Sequence, residues 1–231
     1  MPLTIWEFAA AFLLLVVISK VIVSRRRKAR AEETRTFAAL HGFVSEGNRN
    51  PFAGVEVHRP QRAPGIGAAP VEPQTLIDLA AGRGTVENVM RGSTDAGEVI
   101  VLDYRPPSPG ASTGHPVFAT LAAFRVAGLP EFLLVRRFGF AIGLKTIDFP
   151  SYPRFTKRFR LMANDEDAVR KLFSAEVVAA CEATSQKESQ FQAGSGWLLS
   201  TFGRTDAKQL PQLVHESARV AAAFQSTMRE G

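Results

Sequence analysis

VENVMRGSTDAGEVIVLDY (Val86 to Tyr104) is the stretch whose reading decides the fold. Val86 to Arg91 and Glu98 to Tyr104 have strand character, and Gly-Ser-Thr-Asp-Ala-Gly between them is turn chemistry, so the two runs form an antiparallel hairpin. Val99 to Leu102 is continuously apolar, which predicts a strand buried on both faces. Working outward, Val117 to Val126 and Glu131 to Arg136 read as further strands. Arg154 to Leu161 alternates, with Phe155, Phe159 and Leu161 on one side and Arg154, Arg158 and Arg160 on the other. Gln190 to Ala193 and Trp197 to Phe202 flank Gly-Ser-Gly as a second hairpin. Strands joined by short turns pair antiparallel. The class is therefore α+β, an antiparallel sheet with helices packed on one face.

The helices follow from periodicity and caps. Leu76 to Ala81 is a short helix ended by Gly82. A longer one begins after Asn164, an N-cap residue, with Asp165, Glu166 and Asp167 in the first turn where the helix dipole favours negative charge. Its apolar stripe is Val169, Leu172, Phe173, Val177, Ala180 and Cys181. The last, about Pro211 to Met228, places Leu213, Val214, Ala221, Phe224 and Met228 on one side. Between Gly42 and Pro73 the chain is rich in Pro and Gly, so residues 43–75 read as a linker or loop ahead of a domain over 76–231. No internal repeat is present.

The N-terminus sets where that domain works. Leu3 to Val23 (LTIWEFAAAFLLLVVISKVIV) is followed at once by SRRRKAR. The uncharged run Phe8 to Ser19 covers only about 18 Å as helix, and a hydrocarbon core is ~30 Å thick, so all of Leu3 to Val23 is needed to cross it. Glu7 and Lys20 then stand at the two edges, where long side chains snorkel. Phe8, Phe12 to Ile18 together return roughly 3 kcal/mol on insertion, and Trp6 suits the interface. A cleaved signal peptide would need a basic n-region and an A-x-A-like site, and neither is present. The reading is an uncleaved transmembrane anchor over 1–24 and a basic juxtamembrane helix over 25–42, with Gly42 at the C-terminal cap.

Arg25, Arg26, Arg27, Lys28 and Arg30 all lie on one flank, which by the positive-inside rule places the N-terminus outside and the domain in the cytoplasm, on the inner membrane. The net charge of +6 is concentrated here. Residues 20–35 carry seven basic and two acidic groups, whereas the chain after Thr36 holds 21 basic and 19 acidic residues. A nucleic-acid binder would concentrate charge on its folded domain. The collar instead suits topology and anionic lipid headgroups.

GEVIVLDYR (Gly97 to Arg105), LPEFLLVR (Leu129 to Arg136), IDFPSYPRFTKRFRL (Ile147 to Leu161) and DEDAVRKLF (Asp165 to Phe173) resemble a group of bacterial membrane-anchored proteins with one N-terminal transmembrane helix and a single α+β domain. These pieces span about half of the chain. The group tends to carry an acidic residue after LPEFLLVR, where this chain has Arg137. The resemblance implies anchoring and architecture, and no function.

Chemistry-bearing motifs are sparse. His41, His58, His115 and His215 show no ligand spacing, so no metal is expected. Cys181 lies on a buried stripe with nothing basic beside it in sequence. GIGAAP (Gly65 to Pro70) follows no strand and has no Lys, so it is no phosphate loop. No catalytic group and no cofactor is assigned. Asp103, Tyr104, Arg137 and Asp148 stand at predicted strand ends near the loop Arg105 to Pro116, where ligand-contacting groups are displayed. The leading expectation is a non-catalytic domain that binds a protein or lipid partner at the membrane. The alternative is a membrane-associated enzyme or small-ligand sensor with its site under residues 105–116. Replacing Arg25, Arg26, Arg27, Lys28 and Arg30 with Gln removes the charge bias, so a C-terminal reporter active only outside the cytoplasm, silent on the native chain, is expected to gain activity.

Overall fold

The computed structural model describes residues 5–57, 74–107, 119–137, 146–185, 189–203 and 205–230, with side chains from Phe12 onward. GIGAAP, His58, His115 and most of the 105–116 loop lie outside the described residues. A single helix, α1 (Ile5–Leu40), opens the chain and ends before Gly42, whose φ of +71° lets the backbone leave the helix. Among the described residues no helix is long and apolar enough to cross a membrane. The expected span, Leu3 to Val23, begins in residues 3–11, whose side chains are outside that description.

Strands β1 (Val44–Gly47), β2 (Thr85–Thr94), β3 (Gly97–Arg105), β4 (Ala119–Arg125), β5 (Phe132–Arg136), β6 (Phe159–Ala163), β7 (Gln190–Gly194) and β8 (Trp197–Phe202) form one sheet in the order β1-β2-β3-β4-β8-β7-β5-β6. Every pairing is antiparallel, and both predicted hairpins are present. The helices are α2 (Gln74–Ala80), α3 (Pro153–Arg158), α4 (Glu166–Leu172), α5 (Ala175–Glu182) and α6 (Leu210–Glu230). The fold is α+β with an antiparallel sheet, in agreement with the sequence.

The helices do not keep to one face. Val99 and Val101 of β3 join a core built with Phe37 of α1, Val169 of α4, Cys181 of α5 and Phe224 of α6. Ile100, Leu102 and Tyr104 point the other way, against Phe52 and against Leu76 and Leu79 of α2. An apolar strand with both faces dry needs a cover on each side, and α2 is the second cover. Part of the expected linker is thereby ordered. Strand β1 pairs with β2, and Phe52 is fully buried, pinned by Asn50, which accepts from Phe52 N at 3.0 Å and donates to Leu79 O at 2.7 Å.

Two further elements differ from expectation. Arg154 to Leu161 is not one strand, because Pro153 at the first helical position pre-sets φ and starts α3, and only from Phe159 does the chain enter β6. Phe155 and Phe159 are spaced four apart, which suits a helical face as well as a strand. The helix expected after Asn164 is two helices. Asp165, not Asn164, caps α4 by accepting from Ala168 N at 2.9 Å, and Ser174 caps α5 by accepting from Val177 N at 3.4 Å. The apolar stripe survives the break because both pieces bury against the same core.

Candidate functional site

The four polar candidates do not converge. Asp103 is 6% exposed and spends its carboxylate inside the fold. It accepts from Arg30 Nε at 3.0 Å and Nη2 at 3.1 Å, from Asn88 Nδ2 at 2.9 Å and from Thr120 Oγ1 at 3.0 Å. Thr120 in turn accepts from Thr205 N at 3.2 Å. Asn88 reaches the carboxylate because β2 bulges between Glu87 and Met90, with Asn88 at φ +55°. Tyr104, next in sequence, faces the opposite side of the sheet and donates to Arg83 O at 3.4 Å. Burial, followed by the charge of Asp78, pushes its phenol from 10.0 up to about 12, against a smaller opposing effect of Arg83. Arg137 pairs with Asp148 at 3.5 Å on an exposed surface, and its Nε also donates to Phe159 O at 3.2 Å.

The basic collar divides as well. Arg25, Arg26, Arg27 and Lys28 are exposed, and Arg27 comes within 3.9 Å of Glu87. Arg30 turns inward and is 8% exposed, so it belongs to the domain rather than to the exposed part of the collar. Towards the N-terminus, α1 leaves its apolar side chains in the open: Phe12 is 69% exposed, Leu15 65% and Ile18 44%. Cys181 is fully buried and burial pushes its thiol far above the ordinary range, so it behaves as an inert apolar group. Among the described residues no group of three His, Cys, Asp or Glu side chains could hold a metal ion.

What the fold does assemble is an open groove of about 500 Å³ between the end of α1, the β2–β3 turn and α6. Phe37, Phe43 and Ala96 wall it on one side, and Val214, Ala218 and Ala222 on the other. Phe43 packs 5.4 Å from Phe37 and lies flat over Gly92, where a Cβ would come within 2.7 Å of the ring. Gln225 Nε2 donates to Ala96 O at 2.9 Å and ties the turn to α6. His41, His215, Arg219 and Asp95 also line the groove. The spacing that signals it in sequence is Val214, Ala218, Ala222 beside His215, Arg219, two neighbouring i, i+4 rows on one helix. The tertiary partner of those rows, the end of α1, is not signalled.

No protein-family model matches the chain, and no curated protein matches it. A solved structure that is similar is the crystal structure of the mycobacterial trehalose monomycolate transport factor A, TtfA. The likeness covers 88% of this chain and 96% of that one, with a TM-score of 0.54 and 16% identity, and it concerns the fold alone.

Two outcomes follow from this geometry. Asp103→Ala strands the buried Arg30 guanidinium and is expected to cost about 3–5 kcal/mol in urea unfolding of the full chain in mild detergent. Adding Arg30→Met is expected to recover part of that loss, because no buried charge is then left alone. For Tyr104 the folded-state pKa is raised, so its stabilisation is present below pH 10 and is lost as pH rises towards about 12. Tyr104→Phe is expected to remove roughly 1–2 kcal/mol of that alkaline decline, read from unfolding midpoints across the window.

Proposed function

We propose that this chain is a membrane-tethered, non-catalytic domain that binds lipid in the groove between α1 and α6. The observation that carries the reading is the placement of an apolar-walled groove at the domain end of the same helix whose other end exposes Phe12 to Val23. Exposed apolar side chains on every side of a helix find a partner in lipid, and a ~500 Å³ groove is of the size that holds small ligands. The similar solved structure is that of a trehalose monomycolate transport factor, and a glycolipid cargo there supports the same class of ligand here. The non-catalytic reading rests on the polar candidates: Asp103 is saturated by neighbours, Tyr104 faces the opposite side, and Arg137 pairs with Asp148 at the surface.

In this proposal the start of α1 inserts into the inner membrane with the N-terminus outside. Arg25, Arg26, Arg27 and Lys28 face the anionic headgroups of the cytoplasmic leaflet, and the domain stands below them. Tethering raises the effective concentration of the domain at the bilayer without any new contact.

The test is photo-crosslinking of the full chain in its native membrane with a diazirine-bearing fatty acid that cells incorporate into their lipids. Labelled peptides are expected both from residues 5–24 and from the groove, around Phe37 to Phe43 and Pro211 to Ala222. Labelling confined to residues 5–24 would leave a tether without a lipid site.

A further inference from the structure

The walls of the groove are apolar, and the two formally charged groups of its lining, Arg219 and Asp95, are not paired with one another. On α6, Val214, Ala218 and Ala222 form one row, about 12 Å long at the helical rise. His215 and Arg219 form the row beside it, and His41 enters from α1, its ring 4.6 Å from that of Phe37. The β2–β3 turn contributes Asp95, the one carboxylate among the lining residues. Among the described residues Arg219 has no carboxylate within ion-pair distance, so its charge is available at the rim.

We propose, on the basis of the lipid-binding reading above, that this groove selects a single-chain amphiphile with an anionic headgroup, its chain lying along Val214, Ala218 and Ala222 and its head held by Arg219, His41 and His215. Charge complementarity singles out this occupant. A neutral head would leave Arg219 without a counter-charge, and a cationic head would meet Arg219 with only Asp95 to offset it. Hydrogen bonds to an ionised headgroup are also about twice as strong as neutral ones. An imidazole N–H of His41 or His215 can donate to that headgroup beside the Arg219 charge.

The experiment uses the full chain, with ¹³C-labelled histidine, in phosphatidylcholine nanodiscs. His41 and His215 signals are assigned by His41→Gln and His215→Gln, and the other two histidines serve as the internal reference. Decanoate, decanol and decyltrimethylammonium are titrated at about pH 8, where the carboxylate head is ionised. Concentrations are corrected for partition into protein-free discs. Decanoate is expected to saturate the shifts of His41 and His215 and to bind about tenfold tighter than decanol, with decyltrimethylammonium weakest. Ala222→Phe, a change at an exposed helical position, is expected to abolish saturation. Equal binding of decanoate and decanol, lost for both in Ala222→Phe, would overturn charge selection while leaving lipid binding in place. Absence of saturation by any of the three, or unchanged binding in Ala222→Phe, would overturn the lipid site itself.

Discussion

The pairing of Arg30 with Asp103 joins the two parts of the chain that differ most, an N-terminal helix and a folded sheet. Both side chains are nearly dry, and the carboxylate is bidentate to the guanidinium while also serving Asn88 and Thr120. A buried pair of this kind adds little net stability, since two desolvation penalties offset the Coulomb attraction. Its effect is on geometry. The inward side of α1 is Arg30, Thr34, Phe37 and Ala38, one face at helical spacing, and rotating the helix would draw the charge out of its partners. Because α1 is continuous from Ile5 to Leu40, that docked face sets the rotation of the apolar residues that precede it.

The groove depends on the same arrangement. Its α1 wall is the turn that follows Arg30 and Thr34 along the docked face, where Phe37 stacks with His41 and Phe43. Gly92 has no side chain, and that absence lets Phe43 lie on the sheet. The far wall belongs to α6, whose buried face enters the core through Leu213, Val220 and Phe224. An exposed cavity framed by two core-anchored helices and a tight hairpin is held open by the fold and needs no ligand to form it. The exposed apolar side chains near the N-terminus and one wall of the groove consequently belong to one continuous helix and the turn that ends it.

Local pattern was enough to establish the class of this protein. The strand-like runs flanking Gly-Ser-Thr-Asp-Ala-Gly and Gly-Ser-Gly specify two antiparallel hairpins, and the continuous apolar run of Val99 to Leu102 specifies a strand covered on both sides. The concentration of basic residues next to an apolar start is a property of composition and needs no coordinates. Where two periods fit equally, as in Phe155 and Phe159, the sequence was ambiguous, and Pro153 settled it through a fixed φ. The Ser174 break is masked in the sequence by an apolar stripe that runs unbroken across it.

What only tertiary structure decided is which polar groups meet. Asp103 and Tyr104 are neighbours in sequence and face opposite sides of a sheet, one ending in an ion pair and the other against Arg83. Arg30 reads as one of five collar residues until the docked helix turns it towards a carboxylate 73 positions away. His41 and His215 stand at opposite ends of the domain sequence and share a groove because α1 and α6 lie on the same face of the sheet. Periodicity reports which side of an element is apolar, and it carries no information on which other element will cover that side. That choice is made by packing across the whole sheet, where a contact depends on complementary shape and on both partners being present at once.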